Sequence, residues 1–137
     1  MFAALPLMAL PVLAYNLLAL VLGGLRTPDA AERLAAKIAT VPMASHTGWP
    51  LSLGDLFVAG SLVVLFVELL KAASSRHAAV INHSLSMVLF IACLVEFLLF
   101  PAFATSTFFL LTLMVLLDVL AGFIITLAAE RREINVR

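Results

Sequence analysis

Four long stretches of this chain are almost wholly apolar, and short breaks, one polar and one marked by Pro101, separate the last three of them. A helix needs about 20 mostly apolar residues to cross the hydrocarbon core of a bilayer, so the pattern predicts spanning helices at residues 3–25, 53–73, 78–99 and 105–128. The breaks at 74–77 and 100–104 are short enough for antiparallel neighbours. The first stretch has no basic leader and no small-x-small site at its end, which predicts a retained helix and not a cleaved signal. Pro6 and Pro11 lie in its first half, where each removes a backbone donor, so a kink or an irregular first turn is expected there.

The connection from 26 to 52 is long and has internal order. Thr27 can cap a helix with Pro28 at its first position and Asp29 and Glu32 in its first turns. Leu34, Ile38 and Val41 then recur at helical spacing. This predicts a short amphipathic helix over 28–41, lying along the outer membrane surface or capping the bundle. Gly48, Trp49 and Pro50 turn the chain, and Ser52 with Asp55 has the spacing of a capping box. Trp49 is then expected at headgroup level.

Composition sharpens the class. Of 137 residues, 64% are hydrophobic and 12% charged, against about 25% charged in ordinary soluble domains. A soluble enzyme and a disordered tail are excluded, and a single cysteine excludes a disulfide scaffold. Eight basic and eight acidic side chains cancel, leaving no excess positive charge for nucleic acid. Lys71, Arg76, Arg131, Arg132 and Arg137 fall on one side of the predicted spans, and Arg26, Arg33 and Lys37 on the other. Basic residues in short loops stay preferentially inside, which places both termini in the cytoplasm.

Candidate chemistry comes from the ionisable residues within the spans, each of which costs about 2.5 to 3.5 kcal/mol at the bilayer centre on insertion scales. They are Glu68, Lys71, His83, Glu96 and Asp118. Stepping by three and four residues puts Asn82, Ser86, Cys93 and Glu96 on one stripe with Leu89, and His83 at its edge. Asp118, Gly122 and Thr126 form a second stripe, Gly54, Ser61, Glu68 and Ala72 a third, and Asn16 with Ala19 and Gly23 a fourth. Each helix thus has one small or polar face, and these four faces should meet. At a rise of ~1.5 Å per residue Glu68 and His83 both lie ~8 Å from the inner end and Asp118 ~15 Å, level with Asn16. The expected ladder is Lys71, Glu68 with His83, Asp118 with Asn16, then Glu96.

That ladder supports two functions. Its groups can be hydrogen-bond partners that fix helix register in a non-enzymatic accessory or structural subunit of a membrane complex. Alternatively, carboxylates and a histidine at successive depths can form an oligomeric proton or cation pathway. No catalytic, metal or cofactor site is expected: His77 and His83 point to different sides of one helix, His46 is in the long loop, and Cys93 reads as a packing residue.

The runs Leu53-Gly54-Asp55-Leu56, Phe66-Val67-Glu68-Leu69-Leu70-Lys71, Leu94-Val95-Glu96-Phe97-Leu98 and Asp118-Val119-Leu120-Ala121-Gly122-Phe123 resemble a group of small four-helix bacterial inner-membrane proteins with no assigned activity. The resemblance covers about the last 85 residues. It implies a single all-α membrane domain in a bacterial inner membrane and no mechanism.

Overall fold

The computed structural model describes residues 5–22, 28–74 and 76–136, the side chains of 22, 73, 74, 76–80, 129, 133 and 135 excepted. Its order is α1 (Ala9–Leu22), α2 (Asp29–Ala35), β1 (Lys37–Pro42), β2 (Gly48–Ser52), α3 (Leu53–Ser74), α4 (Arg76–Leu99), one 3-10 turn (Pro101–Phe103) and α5 (Ser106–Val136). The molecule is mostly helical, as the apolar runs require. Among the described residues, three segments are long and apolar enough to cross a membrane: Leu53–Ala72, Ile81–Leu99 and Ser106–Arg132. Of the fourth expected span the described residues hold α1, whose 14 residues cover ~21 Å at 1.5 Å each. Residues 3, 4 and 23–25 of that expected span, with Thr27 and Arg26, lie outside the described residues.

α5 is the central element, packed along both α3 and α4, while α1 lies across all three. The polar or small stripes turn inward: Ser61, Glu68, Asn82, Ser86, Cys93 and Asp118 are all buried. Met8, Val12, Tyr15, Leu65, Phe103, Phe108, Leu111 and Val115 fill the space between them. The opposite faces stay open, with Leu10, Leu13, Leu17 and Leu20 of α1 and Leu62, Val63 and Phe66 of α3 more than half exposed. Such faces suit lipid, because hydrocarbon tails solvate leucine as well as a protein interior does.

Helix ends follow the local sequence. Ser52 and Asp55 form the reciprocal box that starts α3: Asp55 N–H donates to Ser52 Oγ (3.1 Å) and Ser52 N–H to Asp55 Oδ2 (2.9 Å). Thr105 caps α5, its Oγ1 accepting from Phe108 N–H at 3.1 Å. A Cβ on Gly54 would lie 2.6 Å from Thr107 Oγ1 and 3.3 Å from the Leu34 carbonyl. Only glycine lets α2, α3 and α5 meet that closely.

The segment 28–41 corrects the sequence reading. The helix stops at Ala35, and Ile38 and Val41 belong to an antiparallel hairpin. Ala36 takes extended ψ (128°), and Ile38, Thr40 and Val41 are β-branched residues that prefer the pleated backbone. Ala30 and Leu34 of α2 are buried, and α2 packs on α1, α3 and the 3-10 turn. It therefore caps the bundle and does not lie free along a membrane surface. In the hairpin Val41 pairs with Trp49 and Ala39 with Leu51, and Ile38 is the extra residue of a bulge between Lys37 and Ala39. Met43 N–H donates to the Thr47 carbonyl (3.0 Å), which sets the hydrogen-bonded pairs at 43/47 and 41/49. Pro42 and Pro50 occupy the alternate positions, whose N–H groups would point to the outer edges of the hairpin. His46 turns the loop with φ 61°.

Candidate functional site

The site is built where α1 begins. Pro6 cannot continue a helix backwards from α1, and the chain enters through a tight turn in which Ala9 N–H reaches the Pro6 carbonyl (3.1 Å) and Leu10 N–H the Leu7 carbonyl (2.9 Å). Leu7 N–H is left without a helical acceptor, as at any helix start. Glu68 supplies one: its Oε2 accepts from Leu7 N–H at 2.8 Å. Glu68 is fully buried and lies six residues before the end of α3, Ser74, or ~9 Å along the helix axis. The start of α1 thus lies against the buried Glu68 carboxylate, and a backbone group left unsatisfied in such a setting is costly.

The remaining valences of that carboxylate are filled as well. Lys71 Nζ sits 3.1 Å from Glu68 Oε2 and also donates to the Leu5 carbonyl at 2.6 Å. Asn82 Nδ2 donates to Glu68 Oε1 at 2.5 Å. One acid–base pair on α3 therefore holds both a donor and an acceptor of the irregular backbone before α1, and ties in α4.

His83 does not join this group, contrary to the expected pairing with Glu68. A turn of about 100° per residue separates neighbours on a helix, and it is Asn82 that faces α3. The His83 ring lies over Phe123, 6.4 Å between centroids and 27° between planes. A Cβ on Gly122 would come within 2.7 Å of His83 Nδ1. Nδ1 is thus packed against the α5 backbone and, among the described residues, has no hydrogen-bond partner; the Asn82 Oδ1 atom is likewise buried and without a partner among them.

The next rungs also pair differently. Asp118 accepts from Ser86 Oγ at 2.6 Å, one α4 turn beyond Asn82, and not from Asn16. Asn16 Nδ2 instead donates to Glu96 Oε2 (3.2 Å) and to the Val12 carbonyl (3.1 Å). Ser86 and Glu96 are separated by ten positions of α4, ~15 Å of rise. The inward face between them carries Leu89 and the buried Cys93.

A further clasp, which the sequence reading did not single out, holds the middle of α1. Tyr15 is fully buried; its hydroxyl lies 3.1 Å from the Ala102 carbonyl, to which it donates, and 2.6 Å from Thr105 Oγ1. Its ring packs on Phe57, Phe103 and Phe108, at centroid distances of 5.7, 5.5 and 4.7 Å. The available signal was chemical: a lone tyrosine within an apolar run must find a partner for its hydroxyl.

Among the described residues no three His, Cys, Asp or Glu side chains converge as metal ligands do. The His77 side chain lies outside the described set. Comparison with protein-family models, curated proteins and solved structures returns no match.

Proposed function

We propose that the protein is a small multi-pass membrane protein, of a bacterial inner membrane by its resemblance, that acts as a non-enzymatic accessory or structural subunit of a membrane complex. One observation carries this reading. The three carboxylates well inside the candidate spans are each bonded to a group on another segment of the chain: Glu68 to Leu7 and Asn82, Asp118 to Ser86, Glu96 to Asn16. Between lipid-solvated helices there is no hydrophobic drive to associate, and interhelical hydrogen bonds supply much of the specificity. Groups so engaged define a fixed shape that offers broad apolar faces to lipid or to other subunits. The second reading, an oligomeric proton or cation pathway through Glu68, His83 and Asp118, is less favoured by the ~15 Å apolar interval along α4 between Ser86 and Glu96.

Native mass spectrometry of the protein, gently extracted from its own membranes, tests the proposal. Co-elution with other membrane proteins at fixed stoichiometry is expected. Recovery as a monomer alone would overturn it. A pure homo-oligomer would also overturn it and favour the pathway, and proton flux in liposomes with Asp118→Asn would then be the next comparison.

A further inference from the structure

The hairpin presents two chemically different faces. Cross-strand partners share a face, so Ala39, Val41, Trp49 and Leu51 lie together on one side, and Lys37, Thr40, Pro42, Pro50 and Ser52 on the other. The first face is apolar, yet Trp49 is 48% exposed and Val41 37%. Every residue of β1 is exposed, so the hairpin has no core of its own. A two-stranded hairpin without a covered face is marginal in water.

Three observations narrow what covers it. Strand addition is disfavoured, because Pro42 and Pro50 remove donors from both outer edges. There is no linker between hairpin and span: β2 ends at Ser52 and the candidate span opens at Leu53, with the Ser52–Asp55 box fixing the direction in which the chain enters α3. The apolar face is therefore continuous in sequence with the end of the lipid-facing surface of α3. Finally, between Arg33 and Asp55 the chain holds one lysine and no carboxylate, so no fixed negative charge opposes anionic headgroups. Tryptophan is favoured at that level, where its ring is solvated by acyl chains and its N–H by headgroups.

We propose that the Ala39, Val41, Trp49 and Leu51 face of the hairpin is a lipid-binding surface seated in the headgroup layer of the leaflet at the α3 start, with Thr40 and Pro50 toward water. The inference is independent of whether the protein is an accessory subunit.

Trp49 is the only tryptophan, which makes it a probe that needs no label. The experiment reconstitutes the full chain in phosphatidylcholine–phosphatidylglycerol vesicles and records tryptophan emission, quenching by lipids brominated at shallow or deep acyl positions, and quenching by aqueous acrylamide. A blue-shifted emission, quenched more by shallow than by deep bromines, is the expected result. Red-shifted emission with strong acrylamide quenching and no bromolipid quenching would overturn the proposal, leaving the face in water. Blue-shifted emission immune to both quenchers would also overturn it, placing the face against protein. Val41→Asp should weaken the bromolipid quenching, and Thr40→Asp on the opposite face should not. Equal effects of the two would sink the assignment of faces.

Discussion

At the scale of single residues, Glu68 shows how a costly group becomes necessary. A carboxylate in a candidate span is explained once Pro6 interrupts the chain before α1, because Leu7 N–H, packed against α3, then needs an acceptor. Two substitutions separate the acceptor role from the charge. In Glu68→Gln the amide oxygen can still take Leu7 N–H, and a flip of Asn82 would offer its unpartnered Oδ1 to the new amide N–H. That variant should lose about 1 kcal/mol. Glu68→Leu strands Leu7 N–H and the Asn82 amide and removes the carboxylate opposite Lys71, and should cost about 3 kcal/mol or more. Reversible unfolding in bicelles reads both; equal losses would mean that the backbone acceptor is not what matters. Glycines give a second contrast. A Cβ at Gly122 meets His83 Nδ1 at 2.7 Å, whereas one at Gly60 meets nothing within 4 Å. Gly122→Ala should therefore destabilise the α4–α5 contact, by about 1 to 3 kcal/mol if the ring is forced off its position. Gly60→Ala should gain a few tenths to about 1 kcal/mol from helix propensity. The same unfolding assay checks both signs.

At the scale of elements, much was legible because the signals were local. Long apolar runs located α3, α4 and α5, the Ser52–Asp55 spacing located the α3 start, and the three-and-four-residue stripes identified the inward faces. Partners within those faces were not legible: Asn82 and His83 are adjacent in sequence, and a modest rotation of α4 decides which of them meets Glu68. The hairpin was missed for a different reason. Leu34, Ile38 and Val41 match a helical repeat, but the β-branched cluster and the extended backbone at Ala36 decide the outcome, and Pro50 reads as a turn signal although it sits at an outward edge position of β2. That edge position makes a prediction. Pro42→Ala with Pro50→Ala returns an N–H to each outer edge, so hairpins on neighbouring copies should pair. Energy transfer between labelled copies, measured across protein-to-lipid ratios in vesicles, should rise for the double variant and stay low for the parent. No difference between them would show that the prolines do not protect the edges.

At the scale of the whole molecule, the polar clasps explain how α1 belongs to the bundle at all. Most of the described leucines of α1 face outward, so packing alone holds it weakly. Glu68 fixes its start, and Tyr15 and Asn16, the latter through Glu96, fix its middle, where the Tyr15 hydroxyl also touches the cap of α5. Leu7 and Tyr15 are eight residues apart, ~12 Å along the axis, a separation at which independent sites normally add in their effects. If α1 docks as one rigid unit, they are not independent. Loss of one clasp leaves the other to hold the helix, and loss of both releases it. Tyr15→Phe removes only the hydroxyl and should cost about 1 kcal/mol. Combined with Glu68→Leu, it should raise hydrogen exchange throughout α1 while α3, α4 and α5 stay protected, and the combined cost should fall below the sum of the single costs, because an undocked helix has no second clasp left to lose. Strict additivity with uniform loss of protection would mean that α1 unfolds with the rest, and that the clasps stabilise one cooperative bundle and not a separately docked helix.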